Sequence, residues 1–522
     1  TTKVADHREP AFVHDADRAE AARRLGAFTD RHGTKRPNVL VVLMDDVGWG
    51  DFGCYGGGVA VGAATPNIDA LAARGLRLTS AYSEPSCTPS RATLLTGRLP
   101  MRHGLQRPPM YGEGGGLEGE VTLAELLSAQ GYVTQAVGKW HLGENEQSQP
   151  QHVGFDDFYG FLSVSDMYTE WRDPYFFPEI VYSRARTDWV ANQPFNKSFV
   201  HATRGGPLTE VEEVTIPVLS ELDQRWCGYS EDFLRRMADG DQPWFLYHNT
   251  RGAHFDNYPH ESFLGTSPAR HPYKDTIVEL DAIVGRLVAT LEETGQLDDT
   301  IIVVTSDNGA SQEGGVRGVL DEMKYFQGIE EDPDAAVERL DDIGGPNSHT
   351  NYPWGWAQAG NAPFKWYKQN THEGGVHVPL IVHWPRGIAD AGALRDQFHH
   401  VNDLAPTIYD ALGGTAPDVC RGLEQLPIPG VSMLPTFDDA DAPPAKTVQY
   451  FEMMGHRGIY ADGWKAVTRH QSGVSFDDDT WELYHVAEDR SECKDLAAEM
   501  PEKVAELVEL WWQEAEAHGV LP

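Results

Sequence analysis

The stretch VLVVLM, Val39 to Met44, limits what this chain can fold into more than any other. It has no alternating polar position, so a strand formed here has no wet face and needs cover on both sides. A parallel sheet between two layers of helices supplies that cover. The same rhythm recurs along the chain. TPNIDALAARG reads as a helix with Thr65 as its cap, Pro66 in its first position and Gly75 just past its end. LAELLSAQG is a helix that stops at a glycine before the strand YVTQAV. PWFLYH is a further buried strand, and the long amphipathic stretch IVELDAIVGRLVATLEETG leads to another, TIIVVTS. HVPLIVHWP adds one more. Helices alternating with buried strands define an α/β fold.

Residues 163–230 and 311–362 interrupt the rhythm. They are rich in aromatics, proline and glycine, and we expect irregular excursions that cover a site. After Pro444 the texture changes to short strand-like segments, TVQYFEMMGHRGIYADGWKAVTRH and DTWELYHV, and a closing helix within MPEKVAELVELWWQEAEAH. The expected organisation is an N-terminal arm over 1–35, a large domain over 36–444 and a small α+β domain with a short antiparallel sheet over 445–522. At 522 residues and 40% hydrophobic content the chain can bury a large core.

The formal net charge is -37. Nucleic acids and anionic membranes need a basic face, so neither is an expected partner. A small anion stays compatible, because a local group of cations dominates at contact distance once salt screens the rest. No apolar run approaches the roughly 20 residues of a membrane span, and TTKVADHREPAF has no apolar signal-peptide core. The expectation is a soluble protein of the cytoplasm. The five cysteines have no CxxC spacing, which argues against a zinc site or a dense disulfide framework.

In open α/β sheets, sites form beyond the carboxyl ends of strands. Four expected strand ends here run into chemically loaded loops: Asp45-Asp46, then Lys139 and His141 after Gly138, then His254, then Asp307-Asn308. Asp-Asn-Gly alone is an ordinary turn; four loaded ends together are not. Asp45, Asp46, Asp307 and Asn308 form an all-oxygen set, suited to Ca2+ or Mg2+ and not to zinc, provided their strands are neighbours. Lys139, His141, His254 and Lys368 supply donors for an anion. Cys87, in SEPSCTPSRATLLTGR, sits in a polar stretch where Pro89 suits the first turn of a helix. Its side chain then lies at a helix N-terminus, where anions are favoured, with Arg91 one turn on. A thiol phosphatase needs Cys-x5-Arg, and the spacing here is Cys-x3-Arg.

CTPSR resembles the C-x-P-S-R signature of type I sulfatases. VLMDDVGWGDFGCYG, TPNIDALAARG, GKWHLG, TSDNG and HEGGVHVP are similar to that family's segments and stand in its order, over about 38–385. WGWAQAGNAPFKWYKQNTHEGG is particularly like bacterial arylsulfatases. The resemblance implies an alkaline-phosphatase-like fold: a large mixed sheet between helices, plus a smaller C-terminal sheet domain. It implies that a maturation enzyme converts Cys87 to formylglycine, whose hydrate is the nucleophile. It implies Ca2+ (or Mg2+) held by Asp45, Asp46, Asp307, Asn308 and position 87. Arg91 and Lys139 would stabilise the hydrate and the anion, and His141 would hold the hydrate and take its proton. His254 and Lys368 would grip the sulfate near the leaving oxygen; Lys368 and not Lys365 has the family's spacing to Gly-Gly. The implied reaction is hydrolysis of aryl or small alkyl sulfate esters. The runner-up is a phosphonate monoester or phosphodiester hydrolase with the same apparatus; a silent binder of sulfated ligands is the reading from another class. The loop AHFDNYP departs from the family's register. Tyr168, Trp171, Trp354 and Trp356 either touch substrate or pack the lid.

Overall fold

The computed structural model describes residues 35–109, 115–167, 197–322, 330–414, 419–420, 423–425 and 428–520, with scattered positions between 19 and 33. Tyr168, Trp171 and most of the N-terminal arm lie outside the described residues.

A ten-stranded mixed sheet forms the centre. Its strands are β1 (Asn38–Met44), β2 (Leu76–Leu78), β3 (Val133–Lys139), β4 (Asp157–Phe161), β5 (Ser198–Thr203), β6 (Thr209–Glu213), β7 (Trp244–Asn249), β8 (Thr300–Ser306), β9 (Leu380–His383) and β10 (Leu394–Arg395). They lie in the order β10-β2-β9-β8-β1-β7-β3-β4-β5-β6. The run from β8 to β4 is parallel. β9 pairs antiparallel with β8, and β5 and β6 close the other edge antiparallel.

The VLVVLM run is dry on both faces, as its composition requires. Leu40, Val42 and Met44 join a core with helices α1 (Pro66–Ala73), α4 (Ile216–Ala238) and α5 (Pro272–Glu293). Val39, Val41 and Leu43 join a second core with α2 (Cys87–Thr96), α3 (Leu123–Ala129) and α6 (Leu404–Leu412). In α5, Ile277, Leu280, Val284, Leu287 and Leu291 recur at helical spacing on the buried side. Each such side chain contributes about 1.5–3 kcal/mol on burial.

One expectation needs correction. Residues 198–238 are not an irregular excursion: they form β5, β6 and the 23-residue helix α4. Thr215 caps that helix by accepting from the Val218 amide, Pro217 lies in its first turn, and Leu219, Leu222 and Trp226 bury one stripe. The aromatic and proline content of the flanking segment masked that periodicity. The described residues of 311–362 are largely irregular as expected, with short helices at Pro333–Val337 and Trp354–Gly360.

A C-terminal domain carries a four-stranded antiparallel sheet of β11 (Val448–Met453), β12 (His456–Ala461), β13 (Trp464–Thr468) and β14 (Trp481–Tyr484). Met454-Gly455 and Asp462-Gly463, all left-handed, close its two tight hairpins. Helix α7 (Pro501–Ala517) lays Leu507 and Trp511 on Tyr450, Ile459 and Leu483. No helix among the described residues is long and apolar enough to cross a membrane.

Lys139, Lys274, Lys368, Lys446 and Lys465 are buried and pair with Asp45, Asp51, Asp46, Asp403 and Glu373. Each of these pairs is neutral as a whole, so they do nothing to offset the -37 formal charge of the chain. Self-repulsion then opposes compactness and salt screens it. The melting temperature is expected to rise between about 0.1 M and about 1 M KCl. A flat or falling profile in a thermal melt would contradict this.

Candidate active site

β1 and β8 are neighbours in register, Leu43 opposite Thr305 and Met44 opposite Ser306. The residues that follow, Asp45-Asp46 and Asp307-Asn308, therefore emerge side by side. The Asp307 amide donates to Met44 O (3.1 Å), and the Asp46 amide donates to Asp307 Oδ1 (3.1 Å). Oxygen atoms of Asp45, Asp46 and Asp307 all lie within 4.8 Å of one another. Asn308 Nδ2 donates to Asp46 Oδ1 (2.6 Å). Beyond β7, Ala253 N donates to Asp45 O (2.7 Å), which brings the His254 ring to 3.8 Å from Asp46.

Three cations enclose these carboxylates. Arg91, one turn into α2, donates to Asp307 Oδ2 from Nε (2.9 Å) and Nη2 (2.7 Å), and lies 3.5 Å from Asp45 Oδ1. Lys139, the last residue of β3, reaches Asp45 Oδ2 (2.5 Å). Lys368 reaches Asp46 Oδ2 (3.0 Å). Cys87 is the first residue of α2, with its Sγ 3.4 Å from His141 Nδ1, and Thr88 Oγ1 donates to His141 O (2.7 Å). Cys87, Arg91, Lys139, His141, His254, Lys368 and the four candidate oxygen ligands are gathered here, each at most 2% exposed. Asp46 (φ 59°) and His141 (φ 59°) are held in the left-handed region, a strain concentrated at functional positions.

The charges are not at rest. Burial, with Asp45 and Asp307 adding to it and Lys368 only partly opposing it, pushes the Asp46 carboxyl up to about 7. Burial and Asp45 push Asp307 up to about 6 despite Arg91. For Asp45 burial is outweighed by Lys139, Arg91 and Lys368, which hold it well below the usual carboxylate range. Burial, then Lys139, keep His141 and His254 neutral. Burial also raises the Cys87 thiol, against the pull of Lys139 and Lys368, so it is no thiolate. Asn308 Oδ1 and Asp45 Oδ1 are buried with no hydrogen-bond partner. A hard divalent cation fits this set: it takes oxygen ligands, answers both orphaned atoms and offsets the crowded carboxylates.

Two members escaped the sequence reading. Asn249, the last residue of β7, accepts from Arg91 Nη1 at Oδ1 (3.0 Å); it obeys the same strand-end rule. Glu313 accepts from Lys368 Nζ (2.8 Å) and groups with Asp46 and His254; its only signal was an acidic side chain six positions after Asp307. Of the candidate contact aromatics, Trp354 donates its indole N–H to Gln312 O (2.7 Å) and packs near Tyr367, while Trp356 stacks on His271. Both pack the lid.

The sulfatase family model matches residues 37–414. The chain belongs to the sulfatase family. A second model, the C-terminal part of N-sulphoglucosamine sulphohydrolase, matches residues 363–516. An N-acetylgalactosamine-6-sulfatase of Canis lupus familiaris is 34% identical over 75% of this chain and 65% of its own length. The chain thus spans somewhat less than two thirds of such curated sulfatases. Arylsulfatase A of Bos taurus is 31% identical over 81% of this chain and 73% of its own length. Among solved structures, the PsFucS1 sulfatase from Pseudoalteromonas sp. superimposes with a TM-score of 0.75 at 31% identity, covering 98% of this chain and 95% of that one. The alkaline-phosphatase-like fold implied by the motifs is the fold of these sulfatases.

Gly309, just past Asp307-Asn308, has no room for a side chain: a Cβ would stand 1.9 Å from Gly374 O. Gly309→Ala is expected to cost about 1–3 kcal/mol in urea unfolding. An unchanged midpoint would show that the two loops are not locked together.

Proposed function

We propose that the chain hydrolyses sulfate monoesters of aryl or small alkyl alcohols. The observation that carries this is the charge of the site. Four carboxylates, Asp45, Asp46, Asp307 and Glu313, face three permanent cations, Arg91, Lys139 and Lys368, while both histidines are neutral. One divalent cation converts the single excess negative charge into a single positive one. The buried ligand that neutralises it is a monoanion, which a sulfate monoester is and a phosphate monoester dianion is not.

In this reading a divalent cation, Ca2+ in the first place, is held by Asp45, Asp46, Asp307 and Asn308 and supplies Lewis acidity beside position 87. Formylglycine made from Cys87 supplies the attacking hydroxyl of its hydrate. A thiol would be a poor substitute: burial keeps it protonated, and attack on sulfur would leave a thiosulfate ester. His141 Nδ1, 3.4 Å from the side chain at position 87, is placed to hold and take its proton. Arg91, fixed by Asp307 and Asn249, and Lys139 face the sulfonyl oxygens as preorganised charge. Lys368 and His254 stand together on the Asp46 side and meet the departing oxygen. His254 donates Nδ1–H to Phe255 O, which aims Nε2 at the site. The ester's negative charge raises the proton affinity of that ring, so Nε2 takes up a proton from solvent as the ester binds and then gives it to the leaving oxygen.

Co-expression with a maturation enzyme and assay on 4-nitrophenyl sulfate tests the reading. Turnover is expected to exceed that on bis(4-nitrophenyl) phosphate, a monoanion of the same charge. Faster diester cleavage would favour the phosphorus-ester reading, and sulfate binding with no turnover would leave a binder. Ca2+ titration by calorimetry is expected to be tighter at pH 8 than at pH 6. Asp46 (about 7) and Asp307 (about 6) hold protons at the lower pH that a cation must displace. Equal affinities would contradict the proposed ligand set.

A further inference from the structure

Lys368 sits on a strained turn. The residues at both sides of it, Trp366 (φ 64°) and Gln369 (φ 68°), occupy the left-handed region, which a bulky side chain strains. Such a conformation persists only where the surroundings over-determine it. The large domain holds this turn through backbone, Lys368 N donating to Ala310 O (3.1 Å) and Gln369 N to Pro85 O (2.7 Å), and through side chains, Asn361 Nδ2 donating to Trp366 O (3.2 Å) and Gln369 Nε2 to Glu313 Oε1 (3.1 Å).

Beyond the ion pairs of Lys368 itself, a second ionic grip comes from the C-terminal sheet. On β14, Glu482 Oε2 accepts from Lys365 Nζ (2.8 Å), Oε1 lies 3.2 Å from His372 Nε2, and Tyr484 OH accepts from Lys365 Nζ (2.7 Å). On β13, Lys465 donates to Glu373 Oε1 (2.6 Å) with both side chains fully buried. Glu373 Oε2 in turn accepts from Tyr82 OH (2.8 Å) and pairs with His377 (2.6 Å), and the Glu373 amide donates to Glu492 Oε2 (3.0 Å). Thr371 Oγ1 donates to Arg457 O (3.0 Å) on β12, and Arg469 stacks over the Trp366 ring at 4.6 Å. Three strands of the small sheet thus hold one turn of the large domain. The family model spanning 363–516 takes in that turn and the sheet as one unit.

We propose that Glu482 and Lys465 are positioning residues for Lys368: the C-terminal sheet clamps the Lys365–Glu373 turn and so sets where the Lys368 ammonium meets the leaving oxygen of a sulfate ester. This rests on the reading of Lys368 given above. Lys365 is then an anchor on the sheet side of the turn, and Lys368 the working lysine on the site side. The small domain completes the active site without touching the substrate.

A double-mutant cycle tests it, using formylglycine-containing protein, 4-nitrophenyl sulfate, and inorganic sulfate as a competitive inhibitor. Glu482→Ala is expected to lower kcat/KM by about tenfold or more and to raise the sulfate Ki, since small misplacements of a catalytic group cost that much. In a Lys368→Met background the same change is expected to have less than about a twofold further effect. A merely structural role would reduce both backgrounds by the same factor. Equal factors, or an unchanged rate in Glu482→Ala, would overturn the clamp while leaving the hydrolase reading intact. If Lys368→Met itself leaves rate and sulfate Ki unchanged, the role of Lys368 fails, and the clamp loses its object. Should Glu482→Ala fail to fold in a thermal melt, the paired change Lys465→Met with Glu373→Gln removes both charges of the buried pair and strands neither. It is expected to show the same dependence on Lys368.

Discussion

Asp45, Asp46 and Asp307 leave the ends of two paired parallel strands, out of water and within 4.8 Å of one another. Isolated buried carboxylates at that spacing repel strongly, and no arrangement of apolar neighbours removes the cost. Their tolerance sets the rest of the site. Arg91 must come from the first turn of α2, Lys139 from the end of β3 and Lys368 from a strained turn, because each cation balances a specific carboxylate. The helix that delivers Arg91 also places Cys87 at its N-terminus. Position 87 is thus tied to the cation cluster by four residues of one helix.

This coupling explains why the sheet must be parallel in its middle. Four consecutive strands in space, β8, β1, β7 and β3, end at the same side and contribute Asp307-Asn308, Asp45-Asp46, Asn249 and Lys139. An antiparallel partner in this run would carry its terminal residues to the opposite rim. The antiparallel strands are accordingly kept to the flanks, where β9 leads out of the turn that bears Lys368. The C-terminal sheet then meets the Lys368 turn through charged side chains, beside an apolar seam in which Phe451 and Tyr460 pack on Tyr82, Val376 and Phe398. That is where two folding units share one functional loop.

Much of this was legible in the sequence because it obeys local rules. A strand buried on both faces announces itself by unbroken apolar residues, and the rule that sites lie beyond carboxyl strand ends picked out Asp45, Asp46, Lys139, His254 and Asp307. Helical spacing paired Cys87 with Arg91, and the motif resemblance added the choice of Lys368 over Lys365; Lys365 pairs with Glu482. What stayed hidden is what depends on tertiary approach. Glu313 reads as a loop carboxylate until Lys368 arrives from over 50 positions away. Lys465, Glu373 and Glu482 read as ordinary surface charges until the small sheet docks. Helix α4 was missed for a different reason: its amphipathic stripe follows a segment whose aromatics and prolines drown the helical period.

The account stands on position 87. A thiol there, buried and held protonated beside a neutral histidine, has no useful chemistry toward a sulfate ester; an aldehyde hydrate does. The most direct measurement is the mass of the tryptic peptide Leu78–Arg91, LTSAYSEPSCTPSR, from protein made in its native host or with a maturation enzyme. The account expects residue 87 to carry an aldehyde or its hydrate in place of the thiol. An unmodified cysteine in that peptide, from protein that is folded and exposed to the maturation enzyme, would contradict it.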